Sequence, residues 1–204
     1  MKLYYCDVLA PRKVCAALKI LKLPVDYIYV DLGTGEHRKP PYLAINPNGK
    51  VPTLVDGERI VTEADSILCY LSDKVGANLW PRDASQQFDV IAWFSWNSQH
   101  FQSATGTLYL EYIIKERYNI GDPDPVAVKQ ATSEFRRYGK VLDNHLKGRT
   151  WLVGDKLSAA DISVAVTLPY AAKAQMPLDE FPEMHRWHDQ LCALEGWLDP
   201  FPQR

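Results

Sequence analysis

The sequence predicts an α/β domain followed by an all-helical domain, and three observations point there. Over residues 1–76, short runs of β-forming residues alternate with helix-period stretches in the order β, α, β, loop, β, β, α. Beyond residue 84 the strand-like runs give way to long patterns of helical spacing. Between the two, Asn78-Leu79-Trp80-Pro81-Arg82-Asp83 has the composition of a connector. The expected division is therefore 1–76 for the first domain, 77–84 for a linker and 85–204 for the second.

The first element is the aromatic run Lys2 to Cys6, of strand type, which Ala10-Pro11 breaks before Val14, Ala17, Leu18 and Leu21 recur at helical spacing. Lys22-Leu23-Pro24 closes that helix, because proline cannot continue the hydrogen-bond ladder. Tyr27, Ile28, Tyr29 and Val30 are β-formers and make Asp26 to Val30 the second strand, so a βαβ unit results. A polar loop, Gly33 to Pro41, leads to the short apolar turn Tyr42 to Ile45 and then to Asn46-Pro47-Asn48-Gly49, which is strong turn chemistry. Val51 to Val55 and Arg59 to Val61 read as two short antiparallel strands about Asp56-Gly57. Thr62 or Glu63 opens a helix with Ile67, Leu68 and Leu71 on one side, ending near Gly76.

In the second domain, Phe88, Ile91, Ala92, Ser95, Trp96, Leu108, Tyr112 and Ile113 carry a helical period through residues 85–118. Gly121-Asp122-Pro123-Asp124-Pro125 stops it, and a further helix fits Val126 to Leu146. After a loop from Trp151 to Lys156, Ser158 and Asp161 stand as N-cap and N3 of a capping-box variant, with Leu157 and Ile162 placed to staple it.

At 204 residues, 47% hydrophobic, the chain is long enough to bury a sizeable core. Its formal net charge of -2 comes without a block of like charge, so no nucleic-acid or membrane-surface partner is expected. No signal-type N-terminus and no apolar run of bilayer length are present, and cytoplasmic location is the expectation. Cys6, Cys15, Cys69 and Cys192 form neither a disulfide framework nor a Cys-x-x-Cys pair, and His185 with His188 lacks a third ligand nearby. No metal is expected.

Three stretches carry a resemblance. Gly35 to Leu54 is similar to the loop and cis-proline segment of the cytosolic glutathione S-transferases, Thr62-Glu63-Ala64-Asp65-Ser66-Ile67-Leu68-Cys69-Tyr70-Leu71 to that family's Glu-Ser-x-x-Ile-x-x-Tyr-Leu helix start, and Trp151 to Ile162 to the capping box and buried aspartate of its helical domain. The resemblance spans nearly the whole chain. It implies a thioredoxin-like βαβ-ββα domain, a C-terminal helical bundle, a homodimer, and glutathione as co-substrate, conjugated to a small electrophilic, largely apolar acceptor. Other readings are a glutathione-dependent disulfide reductase or peroxidase, and a non-catalytic binding protein that kept the fold.

For glutathione, the resemblance implies a cis Pro52 that turns the backbone N-H and C=O of Val51 outward to pair with the tripeptide. Glu63, Ala64 and Asp65 stand at a helix N-terminus, where free N-H groups and the dipole favour the γ-glutamyl carboxylate. The family has a serine where this chain has Ala64; the N-H survives and the hydroxyl does not. Asp65 would repel that carboxylate yet attract the γ-glutamyl amino group. His37 and Lys50 are candidates for the glycyl carboxylate, and His100 and Tyr109 for the acceptor pocket.

A transferase must hold glutathione as thiolate at neutral pH, against an ordinary thiol pKa of about 8.5. In the family the donor is a Tyr at the end of the first strand or a Ser in the loop after it, and some members place a Cys there. Here Tyr5 and Cys6 occupy the strand end, while Asp7 to Arg12 contains no Ser or Thr, which argues against the serine mechanism. Three alternatives stay open: the Tyr5 hydroxyl, a mixed disulfide through Cys6, and the backbone N-H groups of the 7–10 loop. Tyr5 also reads as a core strand aromatic and Cys6 as a small buried hydrophobe.

Overall fold

The computed structural model describes residues 1–203, and the chain divides into two units, Met1–Trp80 with Leu194–Arg204, and Pro81–Ala193. In the first unit β1 (Lys2–Tyr5), α1 (Leu9–Ile20), β2 (Asp26–Tyr29), a 3-10 turn (Glu36–Arg38), the one-turn α2 (Pro40–Leu43), β3 (Thr53–Asp56), β4 (Arg59–Thr62) and α3 (Ala64–Val75) follow in order. The sheet order is β2-β1-β3-β4, with β1 and β2 parallel and β3 antiparallel to both its neighbours. This is the βαβ-ββα arrangement expected of the sequence. Strand periodicity sets the core: Leu3 and Tyr5 of β1 are buried together with Val14, Cys15 and Leu18 of α1, Leu54 of β3 and Ile67 and Leu71 of α3. Both long helices of this unit thus cover one face of the sheet.

The β3–β4 turn consists of Gly57-Glu58, one residue later than the Asp56-Gly57 reading, because Asp56 pairs with Arg59 and closes the ladder. Gly57 supplies the positive φ, 61°, that the turn needs. At the end of α3, Gly76 takes φ 65° and the Ala77 N-H returns to the Ser72 carbonyl at 2.9 Å.

Residues 194–203 also belong to this first unit, whereas the sequence reading placed all of 85–204 in the helical domain. Trp197 is fully buried, the guanidinium of the buried Arg12 donates to the Trp197 carbonyl and lies 5.5 Å over its ring, and Phe201 stacks on Tyr5 at 6.3 Å. Such docking joins residues some 185 apart in sequence, and no local spacing encodes it.

In the second unit α4 (Ala84–Trp96), α5 (Gln102–Tyr109) and α6 (Lys115–Tyr118) join through π-helical turns at Asn97–Phe101 and Leu110–Ile114, so that one helical path runs through the predicted 85–118 stretch. Single-turn π segments widen a helix without ending it. α7 (Pro125–Leu146) begins with Pro125 at N1 and with the Asp124 carboxylate accepting from the Val126 N-H at 2.8 Å. Before α8 (Ala159–Val164), the fully buried Asp161 carboxylate accepts from the N-H groups of Leu152 and Ser158, the Ser158 hydroxyl and the Trp187 indole. That is the expected capping aspartate, with four donors offsetting its burial. A 3-10 turn follows at Ala165–Tyr170, and α9 (Pro182–Cys192) is capped from α7, where Asp143 accepts from the N-H groups of Glu183 and Met184.

Candidate functional site

The register decides which candidates meet. Tyr4 of β1 lies opposite Thr53 of β3, and Thr53 lies opposite Thr62 of β4. The end of β1, the start of β3 and the end of β4 therefore share one end of the sheet. Tyr5-Cys6, Val51-Pro52 and Glu63-Ala64-Asp65, distant in sequence, are gathered there.

The Val51-Pro52 bond is cis, as the sequence reading expects. Val51 is half-buried and precedes β3; among the described residues its backbone N-H and C=O make no hydrogen bond. A buried network fixes this loop. The Tyr42 hydroxyl and the Asn46 side-chain amide donate to the Lys50 carbonyl at 2.6 and 2.8 Å, and both reach Thr53 Oγ1, at 2.9 and 3.0 Å. Asn46 Oδ1 also accepts from the Asn48 N-H at 3.1 Å. Burial pushes the Tyr42 hydroxyl above its ordinary pKa, so it stays a donor at neutral pH.

Lys50 has an exposed side chain on this loop, and His37 sits half-buried in the neighbouring 3-10 turn with its Nδ1 enclosed and lacking a hydrogen-bond partner among the described residues. Gly49 brings the two together: it takes φ 58°, and a Cβ there would lie 3.0 Å from the His37 carbonyl oxygen.

Glu63, Ala64 and Asp65 are the N-cap, N1 and N2 of α3, and among the described residues no side chain caps the helix. The first N-H groups of α3 are thus open to an anion. Glu63 takes φ 63° and ψ 119°, unusual for a residue with a side chain, while its carbonyl accepts the Ile67 N-H at 3.0 Å.

α1 starts in the same way, with Val8 at the N-cap and no side-chain cap among the described residues. Arg12 N-H bonds the Val8 carbonyl at 3.1 Å and Pro11 has no N-H, which leaves the amides of Leu9 and Ala10 at the helix mouth.

The side-chain candidates for thiol activation, Tyr5 and Cys6, are buried. Tyr5 is 2% exposed within the core, its ring 5.6 Å from those of Tyr27 and Tyr29. Cys6, also 2% exposed, donates its thiol to the Tyr29 hydroxyl at 3.5 Å. Burial pushes Cys15 and Cys69 up to about 12, so neither is a thiolate at neutral pH.

Nor are the two acceptor-pocket candidates brought together. His100 is exposed and stacks on Tyr138 at 5.1 Å, whereas Tyr109 is buried in the helical unit, edge-on to Tyr170 at 4.9 Å. A nine-residue separation along a helix turns them to different sides.

One participant was missed by the sequence reading. Lys13 Nζ of α1 donates to Asp65 Oδ1 of α3 at 2.9 Å, the lysine side chain 5% exposed and the aspartate 27%. Only the order of the sheet sets α1 beside α3, so the chain pattern holds no signal for that pair.

Family models for the glutathione S-transferase N-terminal domain and C-terminal domain match residues 10–74 and 105–195. The glutathione S-transferase hmp2 of Hypomyces subiculosus is 31% identical over 205 residues, covering 95% of this chain and 94% of that one. The chain belongs to the glutathione S-transferase family. Glutathione S-transferase 2 of Schizosaccharomyces pombe is 33% identical over 208 residues, with 90% of this chain and 86% of that protein covered. Among solved structures, glutathione transferase F2 of Populus trichocarpa superposes with a TM-score of 0.90 at 25% identity, over 98% of this chain and 96% of that one. The first unit is accordingly the thioredoxin-like domain of this family and the second its helical domain.

Proposed function

We propose that the chain is a glutathione transferase that holds glutathione along the Val51 backbone and conjugates its thiolate to a small electrophilic, largely apolar acceptor. The N-H and C=O of Val51, unpaired among the described residues and at the end of the sheet where the N-termini of α1 and α3 also lie, carry this reading. An extended peptide pairs with such a strand end through two antiparallel hydrogen bonds. In that position its γ-glutamyl carboxylate meets the Ala64 amide and the dipole of α3, its ammonium meets Asp65, and His37 and Lys50 face the glycyl carboxylate.

The thiolate is stabilised by the Leu9 and Ala10 amides at the positive end of α1. Helix N-termini lower thiol pKa values, and fixed backbone donors need no reorganisation when charge develops. The placement of Tyr5 in the core and of the Cys6 thiol on Tyr29 supports the backbone over either side chain. We further propose a homodimer, supported by Phe88 and Ile91, which are 72% and 48% exposed one turn apart on α4, and a cytoplasmic protein, in keeping with four free cysteines.

Calorimetry with glutathione, followed by turnover of an aryl halide, tests the reading. Saturable binding and conjugation are expected, with Tyr5→Phe and Cys6→Ser each within about twofold of wild type, since neither removes an amide donor of the kind whose loss is costly. An absence of binding at millimolar glutathione would refute it.

A further inference from the structure

We propose that Lys13 is a positioning residue that makes the mouth of α3 selective for a zwitterionic α-amino acid head, acting through Asp65; this deepens, and rests on, the glutathione reading above. The α3 N-terminus suits an anion through its open amides, yet Asp65, at N2 of the same turn, carries a negative charge into it. Taken alone that carboxylate would repel the carboxylate the helix is placed to bind. Lys13 removes the conflict. Its ammonium, almost enclosed, sits on Asp65 Oδ1 at 2.9 Å, cancelling the local charge.

The pairing uses one carboxylate oxygen. Among the described residues Asp65 Oδ2 has no hydrogen-bond partner, and the aspartate side chain keeps 27% exposure against 5% for Lys13. The exposed partner is therefore the acid, an acceptor for an incoming ammonium, and the buried partner is the base, which holds that acid in place. A ligand head with a carboxylate on the Ala64 amide and an adjacent ammonium on Asp65 Oδ2 satisfies both. The γ-glutamyl terminus of glutathione is such a head.

Two glutathione analogues separate the roles: 4-aminobutyryl-Cys-Gly, which lacks the α-carboxylate, and glutaryl-Cys-Gly, which lacks the ammonium. Dissociation constants for both and for glutathione are measured by calorimetry on wild type, Lys13→Met, Lys13→Arg and Asp65→Asn. Wild type is expected to prefer glutathione over each analogue. Lys13→Met should weaken glutathione about tenfold while leaving 4-aminobutyryl-Cys-Gly nearly unchanged, because the exposed repulsion acts only on a carboxylate. Lys13→Arg should restore the preference. Asp65→Asn should erase the preference over glutaryl-Cys-Gly alone, and this variant tests the head-group assignment even where Lys13→Met fails to fold.

Equal weakening of all three ligands by Lys13→Met would reduce Lys13 to a structural role and overturn the inference. So would Asp65→Asn retaining the full preference over glutaryl-Cys-Gly. Wild type that binds glutathione but does not discriminate between the analogues would overturn this inference and leave the glutathione reading standing, whereas wild type that binds none of the three refutes both.

Discussion

Glu63 holds φ 63° at the mouth of α3, a conformation that costs a residue with a side chain on the order of 1 kcal/mol or more. Its neighbours make it stay there: β4 delivers Thr62 in register with Thr53, and the Glu63 carbonyl must serve α3 as its first acceptor. Asn46 has the converse position, a polar residue 2% exposed whose amide bonds Lys50 and Thr53 while its carbonyl bonds Asn48. Asn46→Ala removes its bonds to the Lys50 carbonyl, to Thr53 Oγ1 and from the Asn48 N-H, so we expect a loss of about 2–3 kcal/mol of stability in urea together with weaker glutathione binding. Equal denaturation midpoints would show that the network does not fix the loop. The Asn-Pro-Asn-Gly turn was legible because each residue has its own turn chemistry, and so was the cis Pro52 through the motif around it. Lys13 was not, since its partner is 52 positions away. Tyr5 could not be placed either: a strand aromatic looks the same in sequence whether it faces the core or the site.

Elements were more readable than contacts. In the first unit the four strands, α1 and α3 follow from periodicity and breakers, whereas α2 and the 3-10 turn before it fall where a polar loop and a short turn are expected; the stops at Pro24, Gly76 and the Gly121–Pro125 stretch fall between elements or at a helix end. What the pattern omits are bonds between elements. Asp143 on α7 caps α9 through two amides, and Asp143→Ala is expected to cost about 1–2 kcal/mol, read as a lower thermal midpoint. Glu111 ties the second π turn to the segment ahead of α7: Lys115 lies 2.6 Å from its carboxylate, which also accepts the Asp124 N-H at 2.6 Å. These contacts, the lysine first, hold the Glu111 carboxyl below its ordinary pKa. A depressed acid stabilises the fold above its unfolded pKa, about 4.3, and loses that contribution as pH falls through the folded value. The stability gap between wild type and Glu111→Gln should therefore be largest at neutral pH and shrink below about pH 4. A gap that grows on acidification would reverse the sign and contradict the assignment.

Across the whole molecule, the C-terminal segment is the feature that local reading could least foresee. Glu195 to Gln203 has Gly196, Pro200 and Pro202 and no helical period, yet Trp197 is fully buried against the first unit. Trp197→Ala is expected to cost about 3–5 kcal/mol, as for other large buried side chains. The homodimer is a second expectation at this scale: sedimentation should report a dimer, and Phe88→Glu should shift it toward monomer by placing a charge in an apolar contact. The central claim is that three segments, gathered by the strand register, present glutathione as a thiolate to backbone donors at α1. Val8 already has an extended backbone and Leu9 is the N1 residue, so Leu9→Pro fits the helix while deleting one amide, with Leu9→Ala as the side-chain control. The most direct measurement is the ultraviolet titration of the thiol of bound glutathione. We expect a pKa below the free value of about 8.5 in wild type, Tyr5→Phe, Cys6→Ser and Leu9→Ala, and a return toward it in Leu9→Pro. A bound thiol that titrates like the free one, or that rises in Tyr5→Phe or Cys6→Ser but not in Leu9→Pro, would contradict the account.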